Sequence, residues 1–258
     1  MTLNTNMDVF VDLPATQKGS HMSRHVEVIN EIVDKSVRKP VNSLESLCEN
    51  IASILLKKHE YANKSEVNII SDYFLEKKLP SGIKSLESYK LIANAKAQRG
   101  KEINKKMIGV EVVGMNACPC AMETIREFLS DDHPECKQEL KDVPMITHNQ
   151  RNISSLMIEV PSNYVIEADD LIDIIEDSMS SPTFEILKRA DEGQIVYGAH
   201  TKPRFVEDVV REILMRVLEK YKDLPDEVCV TVKSESEESI HKHNAFAERV
   251  TSLGELRK

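Results

Sequence analysis

The groups best able to do chemistry lie in two short motifs, Cys118-Pro119-Cys120 and Thr147-His148-Asn149-Gln150-Arg151-Asn152. A thiolate and an imidazole brought together by a fold suit a borderline transition metal such as Zn²⁺ or Fe²⁺. One proline between the cysteines is too short a spacing for a Cys-x-x-Cys ribbon or dithiol motif. In a strand the two thiols would share a face, but Pro119 favours a turn. A turn puts one thiol on a metal with the other beside it, or leaves both inert. His148 stands in a polar run that interrupts apolar sequence, and burying such a run without partners is costly. His241 and His243 flank Lys242; they would share a face if extended, or lie solvated in a polar tail. His200 is a further imidazole candidate. Arg24, in the polar stretch Lys18 to His25, and the cations Lys188, Arg189, Lys202 and Arg204 are either surface charge or anchors for a phosphorylated ligand.

The 258 residues are 41% hydrophobic and 30% charged, enough for a core beneath a solvated surface. With a net charge of −9, no Trp and 5% aromatics, the chain does not read as a general nucleic-acid binder. A locally positive pocket for a small anion stays open. No apolar run is long enough to span a membrane. Met1 to Pro14 carries Asp8 and Asp12 and lacks an export pattern. The five cysteines, Cys48, Cys118, Cys120, Cys136 and Cys229, are odd in number and scattered, which points to reduced thiols in the cytoplasm. Cys48, Cys136 and Cys229 read as small residues buried to some degree.

The elements that must position these groups follow from periodicity. Met1 to Asp12 reads as a loose arm or a short edge strand. Val41 to His59 reads as a helix capped by Ser43, with Leu44, Leu47, Cys48, Ile51, Ile54 and Leu55 at helical spacing. Glu66 to Leu75 and Lys106 to Val113 read as strands, the second delivering the chain to Gly114 and Cys118. Ala121 to Leu129 is an amphipathic helix broken at Asp131-Asp132-His133-Pro134. Val143 to Val160 reads mostly as a strand. Asp169 to Met179 is a helix with acidic residues at its start. Phe184 to Arg189 fits helix or strand, followed by a turn at Ala190 to Gly193. Pro203 to Tyr221 carries an unbroken apolar stripe and is a helix opened by Pro203. Leu224 to Val232 reads as a strand before a polar tail. The class is α+β, mainly antiparallel.

Several of these segments match one family. Gly-Met-Asn-Ala-Cys-Pro-Cys-Ala at 114–121, Val-Pro-Met-Ile-Thr-His-Asn-Gln-Arg-Asn at 143–152 and Leu-Lys-Arg-Ala-Asp-Glu at 187–192 resemble the type IB GTP cyclohydrolases and their archaeal relatives. So do Pro-Arg-Phe-Val-Glu-Asp at 203–208, Ser-Ile-His-Lys-His at 239–243 and His21-Met22-Ser23-Arg24. The matches run in order along nearly the whole chain. The helical insertion Met122 to Asp142 and Ala199-His200 resemble the archaeal branch, which serves methanopterin and archaeal folate biosynthesis.

That resemblance implies a tunnelling fold of two βααβ-like modules, about 8–115 and 116–258, with an antiparallel sheet and helices on one face. It implies GTP as substrate and a homo-oligomer, expected as a tetramer, with active sites between subunits. It implies Fe²⁺, with Zn²⁺ or Mn²⁺ as alternatives, and 7,8-dihydroneopterin 2′,3′-cyclic phosphate as product, with formate and pyrophosphate released. The residues assigned on this basis are Cys118, His148 and His241 for the metal, and Cys120 and His243 for catalysis. Arg24, Gln150, Arg151, Lys188 and Arg189 are assigned to substrate. Bacterial members carry a metal-ligand glutamate where this chain has Pro182 and a guanine-anchoring glutamate near Tyr197, so Glu185 and Glu192 also come into view. The alternatives are a cyclohydrolase giving 7,8-dihydroneopterin triphosphate, a thiol enzyme of the same fold resembling nitrile reductases, and a non-catalytic metal- or purine-binding subunit.

Overall fold

The computed structural model describes residues 4–38, 43–100 and 105–258. The strands are β1 (Thr5–Val11), β2 (Lys64–Lys78), β3 (Lys84–Gln98), β4 (Lys105–Ala117), β5 (Asn149–Pro161), β6 (Ser181–Pro182), β7 (Cys229–Ser236) and β8 (Ala245–Ser252). They form one sheet in the order β1-β2-β3-β4-β5-β7-β8, with β6 on β4. The pairs β1/β2, β4/β6 and β7/β8 are antiparallel. The helices are α1 (Met22–Arg38), α2 (Leu44–Lys58), α3 (Pro119–Asp132), α4 (Glu139–Asp142), α5 (Ala168–Ser178), α6 (Arg189–Thr201), α7 (Val206–Lys220) and α8 (Leu253–Leu256), with a 3₁₀ turn at Pro134–Cys136. The chain divides into two compact units. The first comprises Met1–Tyr73, Lys90–Val110 and Met157–Ala168; the second comprises Phe74–Tyr89, Glu111–Leu156 and Asp169–Lys258.

In the first unit α2 forms where its apolar spacing predicts, and the Ser43 hydroxyl accepts the Ser46 N–H at its start. Cys48, Ile51, Ala52 and Leu55 pack against Val67, Ile69, Ala93 and Ala95. Burial pushes the Cys48 thiol up to about 12, which fits an inert packing role. Residues 22–38 form α1, a helix that the sequence reading leaves unassigned. Its inward residues His25, Val28 and Ile32 do recur at helical spacing, but the first of them is polar and weakens the stripe.

The second unit packs α5 and α7 through Leu171, Ile172, Ile175, Val209, Val210, Ile213 and Val217, all buried. Helix α7 starts at Val206 rather than Pro203, because the Asp208 carboxylate accepts the Phe205 N–H (3.0 Å) and fixes the cap there. Helix α6 runs through the turn expected at Ala190 to Gly193, whereas 184–188, expected as helix or strand, is irregular. Gly193 and Gly198 dilute its pattern, and buried Asp191 anchors it by accepting the Lys188 N–H (3.2 Å), the Ser81 N–H (2.8 Å) and the Ser81 hydroxyl (3.0 Å). Strand β8 lies within the expected polar tail. It is the last strand in the sheet order, so Phe246 and Val250 stay exposed and its alternation is faint. Strand β5 begins only at Asn149, leaving 143–148 as an irregular lead-in.

An imidazole cluster closes one end of α2. His59 is fully buried; its Nδ1 lies 2.8 Å from the Tyr61 hydroxyl, while its Nε2 has no hydrogen-bond partner. The His25 ring packs edge-on against it at 4.4 Å. Burial, then the neighbouring His25, Arg24 and His21, hold His59 down to about 4. The neutral ring is therefore the form that fits. Its contribution is present above the ordinary value near 6.5 and is lost as pH falls from 6.5 towards 4, to a full extent of about 3 kcal/mol. Thermal melts at pH 7 and pH 4.5 should show a larger acid-induced drop in Tm for the wild type than for His59→Phe. Equal drops would show that the cluster does not set acid stability.

Candidate active site

Three neighbouring strands carry their inward faces from apolar to polar and end at one place. Along β5 the inward residues run Leu156, Ser154, Asn152, Gln150 and on to His148. Along β7 they run Val230, Val232, Ser234, Ser236 and on to Glu238. Along β4 they run Val112, Gly114, Asn116 and on to Cys118. The two-residue period of a strand thus brings a thiol, an imidazole and a carboxylate to the ends of adjacent inward faces. Gly114 is required in this row: a Cβ there would lie 2.1 Å from Met179 Sδ and 3.0 Å from the Ser181 carbonyl.

A buried polar interlock sets the register between β5 and β7. Asn152 Nδ2 donates to Ser234 Oγ (2.8 Å) and Ser236 Oγ (3.2 Å), and Ser154 Oγ donates to Asn152 Oδ1 (2.6 Å) and lies 3.0 Å from Ser234 Oγ. All four side chains are buried.

Backbone ties hold the segments around it. Cys118 N–H donates to the His148 carbonyl (3.2 Å), Arg204 N–H to the Ala117 carbonyl (3.1 Å) and Glu237 N–H to the Arg151 carbonyl (2.9 Å). Cys118 is the N-cap of α3 and its sulfur accepts the Ala121 N–H at 3.5 Å, with Pro119 in the first turn. His148 Nδ1 lies 3.1 Å from Gln150 Oε1 and 3.4 Å from Ser239 Oγ. Gln150 Nε2 in turn donates to Glu238 Oε1 (3.1 Å). Because an amide oxygen faces it, Nδ1 carries the ring proton and Nε2 keeps its lone pair. Glu238 Oε2, buried without a hydrogen-bond partner, lies 3.9 Å from His148 Nδ1.

These groups line a cavity of about 550 Å³ together with Cys120, Thr124, Arg204, Phe205, Glu207, Ile240, His241 and Phe246. Cys118, Cys120, His148, Gln150 and His241, drawn from separate motifs, are thus brought together. His243 is exposed and stacks on His241 with ring centroids 5.3 Å apart, outside the lining set. Arg151 points outward from β5, and Lys188 and Arg189 sit exposed at the start of α6. Arg24 belongs to the first unit and donates to the Lys58 carbonyl (2.9 Å). His200 is buried, with Nδ1 2.6 Å from the Val196 carbonyl and Nε2 3.1 Å from the Thr147 carbonyl, so it ties α6 to the residue before His148. Pro182 pairs with Gly114, Tyr197 is exposed, and the Glu185 N–H donates to the Glu87 carboxylate. Neither Glu185 nor Glu192 lines the cavity.

Glu238 is the functional candidate that motif reading passed over. The two-residue spacing from Ser234 and Ser236 was its signal. Among the described residues no three His, Cys, Asp or Glu side chains converge closely enough to hold a metal ion as they stand. The Cys118 thiol, the His148 imidazole and the unpartnered oxygen of Glu238 are nevertheless the donor types a borderline metal takes. A larger cavity of about 690 Å³ in the first unit has neither thiol nor imidazole in its lining. Its lysines are largely paired, Lys96 with Glu66, Lys105 with Glu159 and Lys106 with Glu45, so it offers less chemistry.

Solved structures share this architecture. Uricase from Arthrobacter globiformis superposes with a TM-score of 0.56 at 8% identity, covering 97% of this chain and 85% of that one. A hyperthermostable mutant of Bacillus sp. TB-90 urate oxidase gives 0.53 at 12% identity, covering 97% and 86%. The fold is thus the α+β tunnelling fold. The family model of type I GTP cyclohydrolase folE2 matches residues 1–247, and the chain belongs to that family. Among relatives, GTP cyclohydrolase MptA of Methanothermobacter thermautotrophicus is 48% identical over 97% of this chain and 81% of that protein. The MptA proteins of Methanosphaera stadtmanae and Methanocaldococcus jannaschii are 46% and 45% identical, over 97% and 99% of this chain and 83% and 85% of theirs.

The interlock makes a direct stability prediction. Asn152→Ala leaves buried serine hydroxyls unpaired and should cost about 1–3 kcal/mol in urea unfolding. Ser155→Ala, on the outward-facing side of β5, should cost less than about 0.5 kcal/mol. Equal losses would mean that the interlock contributes nothing specific.

Proposed function

We propose that this chain hydrolytically opens the imidazole ring of GTP, releasing formate and pyrophosphate and leaving 7,8-dihydroneopterin 2′,3′-cyclic phosphate for methanopterin- or folate-type pterin synthesis. The observation that carries the reading is the convergence of Cys118, His148, Gln150 and His241 in one cavity, in a chain of the GTP cyclohydrolase family. Cys118 and His148 would hold an Fe²⁺ ion, or Zn²⁺ or Mn²⁺, with His241 completing the set and Glu238 as the nearby carboxylate. When bound, such an ion supplies the Lewis acidity that makes water a nucleophile at neutral pH.

The chain's own residues have separable tasks in this reading. Gln150, held by Glu238, keeps the proton on His148 Nδ1 and leaves the Nε2 lone pair as the donor. Cys120 presents its thiol to the substrate from the first turn of α3. His243, stacked on His241, protonates the departing ring nitrogen as general acid. A homo-oligomer, expected as a tetramer, suits a sheet whose terminal strands β1 and β8 expose Phe10, Phe246 and Val250.

The tests are direct. Anaerobically purified protein should release formate from GTP, and ³¹P NMR should show the cyclic phosphate; a triphosphate product would correct the last step alone. Cys118→Ala and His148→Ala should lose bound iron and formate release together. Full iron content in both variants refutes the ligand assignment. His241→Asn should be iron-deficient, whereas His243→Asn should keep iron and slow by roughly 10²–10⁴-fold. Normal iron and rate in both would place the proton donor elsewhere. Light scattering at assay concentration should give a multiple of the chain mass, and an active monomer would contradict the assembly.

A further inference from the structure

We propose that Arg204 is the residue that holds the phosphate chain of the substrate in this cavity. The inference rests on the GTP reading for the identity of the ligand, but not for the presence of an oxyanion subsite. The cavity is lined by two carboxylates, Glu207 and Glu238, and Arg204 is the one lysine or arginine among its lining residues. A polyphosphate entering a cavity with two carboxylates needs a cation to offset them. Of the cations that the sequence offered, Arg204 lines it and Arg24, Arg151, Lys188, Arg189 and Lys202 do not.

The guanidinium is also held in place and only partly satisfied. Its backbone N–H is fixed to the Ala117 carbonyl (3.1 Å), one residue before Cys118. Its Nε is buried with no hydrogen-bond partner. Its Nη2 has a long contact, 3.4 Å, with Glu212, whose other oxygen is taken by Arg216 at 2.9 Å. Burial, and next the charge of Arg204, lower the pKa of neighbouring Lys202. A phosphate, which a guanidinium fork grips through two oxygens, would satisfy Nε.

Isothermal titration of the full-length protein, purified anaerobically, with GTP, guanosine and inorganic tripolyphosphate reads this assignment. The wild type should bind tripolyphosphate. Arg204→Gln should weaken both GTP and tripolyphosphate by about 10- to 100-fold, the size of one charge-assisted contact, with guanosine affinity and iron content unchanged. Arg204→Lys, which keeps the charge without the fork, should fall between them, and it serves as the test where Arg204→Gln does not fold. Unchanged tripolyphosphate affinity in either variant, or an equal loss for guanosine, overturns the proposal. So does a wild type that fails to bind tripolyphosphate. A wild type that binds tripolyphosphate through Arg204 yet releases no formate from GTP would refute the proposed reaction and leave the phosphate subsite standing.

Discussion

The site depends on the lock between Asn152, Ser154, Ser234 and Ser236. A slip of one residue in a strand turns every side chain to the other face. Below the lock, Leu156, Val230 and Val232 would resist such a slip through hydrophobic burial, which has little directional preference. Above it lie His148, Gln150 and Glu238, whose tasks fail if one strand shifts. Asn152 supplies the direction that apolar packing lacks, because its amide has a donor side and an acceptor side and both are occupied. It does so where the face changes from packing to chemistry.

The segments around the lock are tied by main chain more than by side chain. The Cys118, Arg204 and Glu237 amides donate respectively to the carbonyls of His148, Ala117 and Arg151 in the links already described, and His200 grips Thr147 from α6. The frame thus uses few of the side chains that must meet a ligand. Gly114 shows how little slack it has, since the Met179 side chain occupies the space of its missing Cβ.

Much of this was legible in the sequence where a local rule has a local cause. Ser43 caps α2 and the apolar stripe after Pro203 is a helix, because each depends on neighbours a few positions away, whereas Pro119, read as favouring a turn, opens α3. What escaped reading depended on distant partners. Helix α6 is stabilised through Asp191 by Ser81, a residue far off in sequence, while its own glycines argue against it. Strand β8 exists because β7 offers it an edge. The same split holds in the site. Cys118 and His148 stood out by chemical type within conspicuous motifs. Glu238 lay in an acidic run that looked like solvated surface, and only the continuation of β7 turns it inward. Lys188 and Arg189 look like ligand-binding cations in sequence but stand exposed at a helix start.

The cavity also has an order of construction. Its walls come from the end of β4, the lead-in to β5, the start of α7 and the turn between β7 and β8, and the last of these lies more than a hundred residues after the first. Contacts this far apart in sequence form late, because the intervening chain must be gathered first. On the ribosome, Cys118 and Cys120 therefore emerge well before His241 and Phe246 can enclose them. During that interval they are thiols without a pocket, open to oxidation or to stray metals. Correct filling of the site is then a step that waits for His241 and Phe246, and it competes with whatever the cell offers two uncovered cysteines in the meantime.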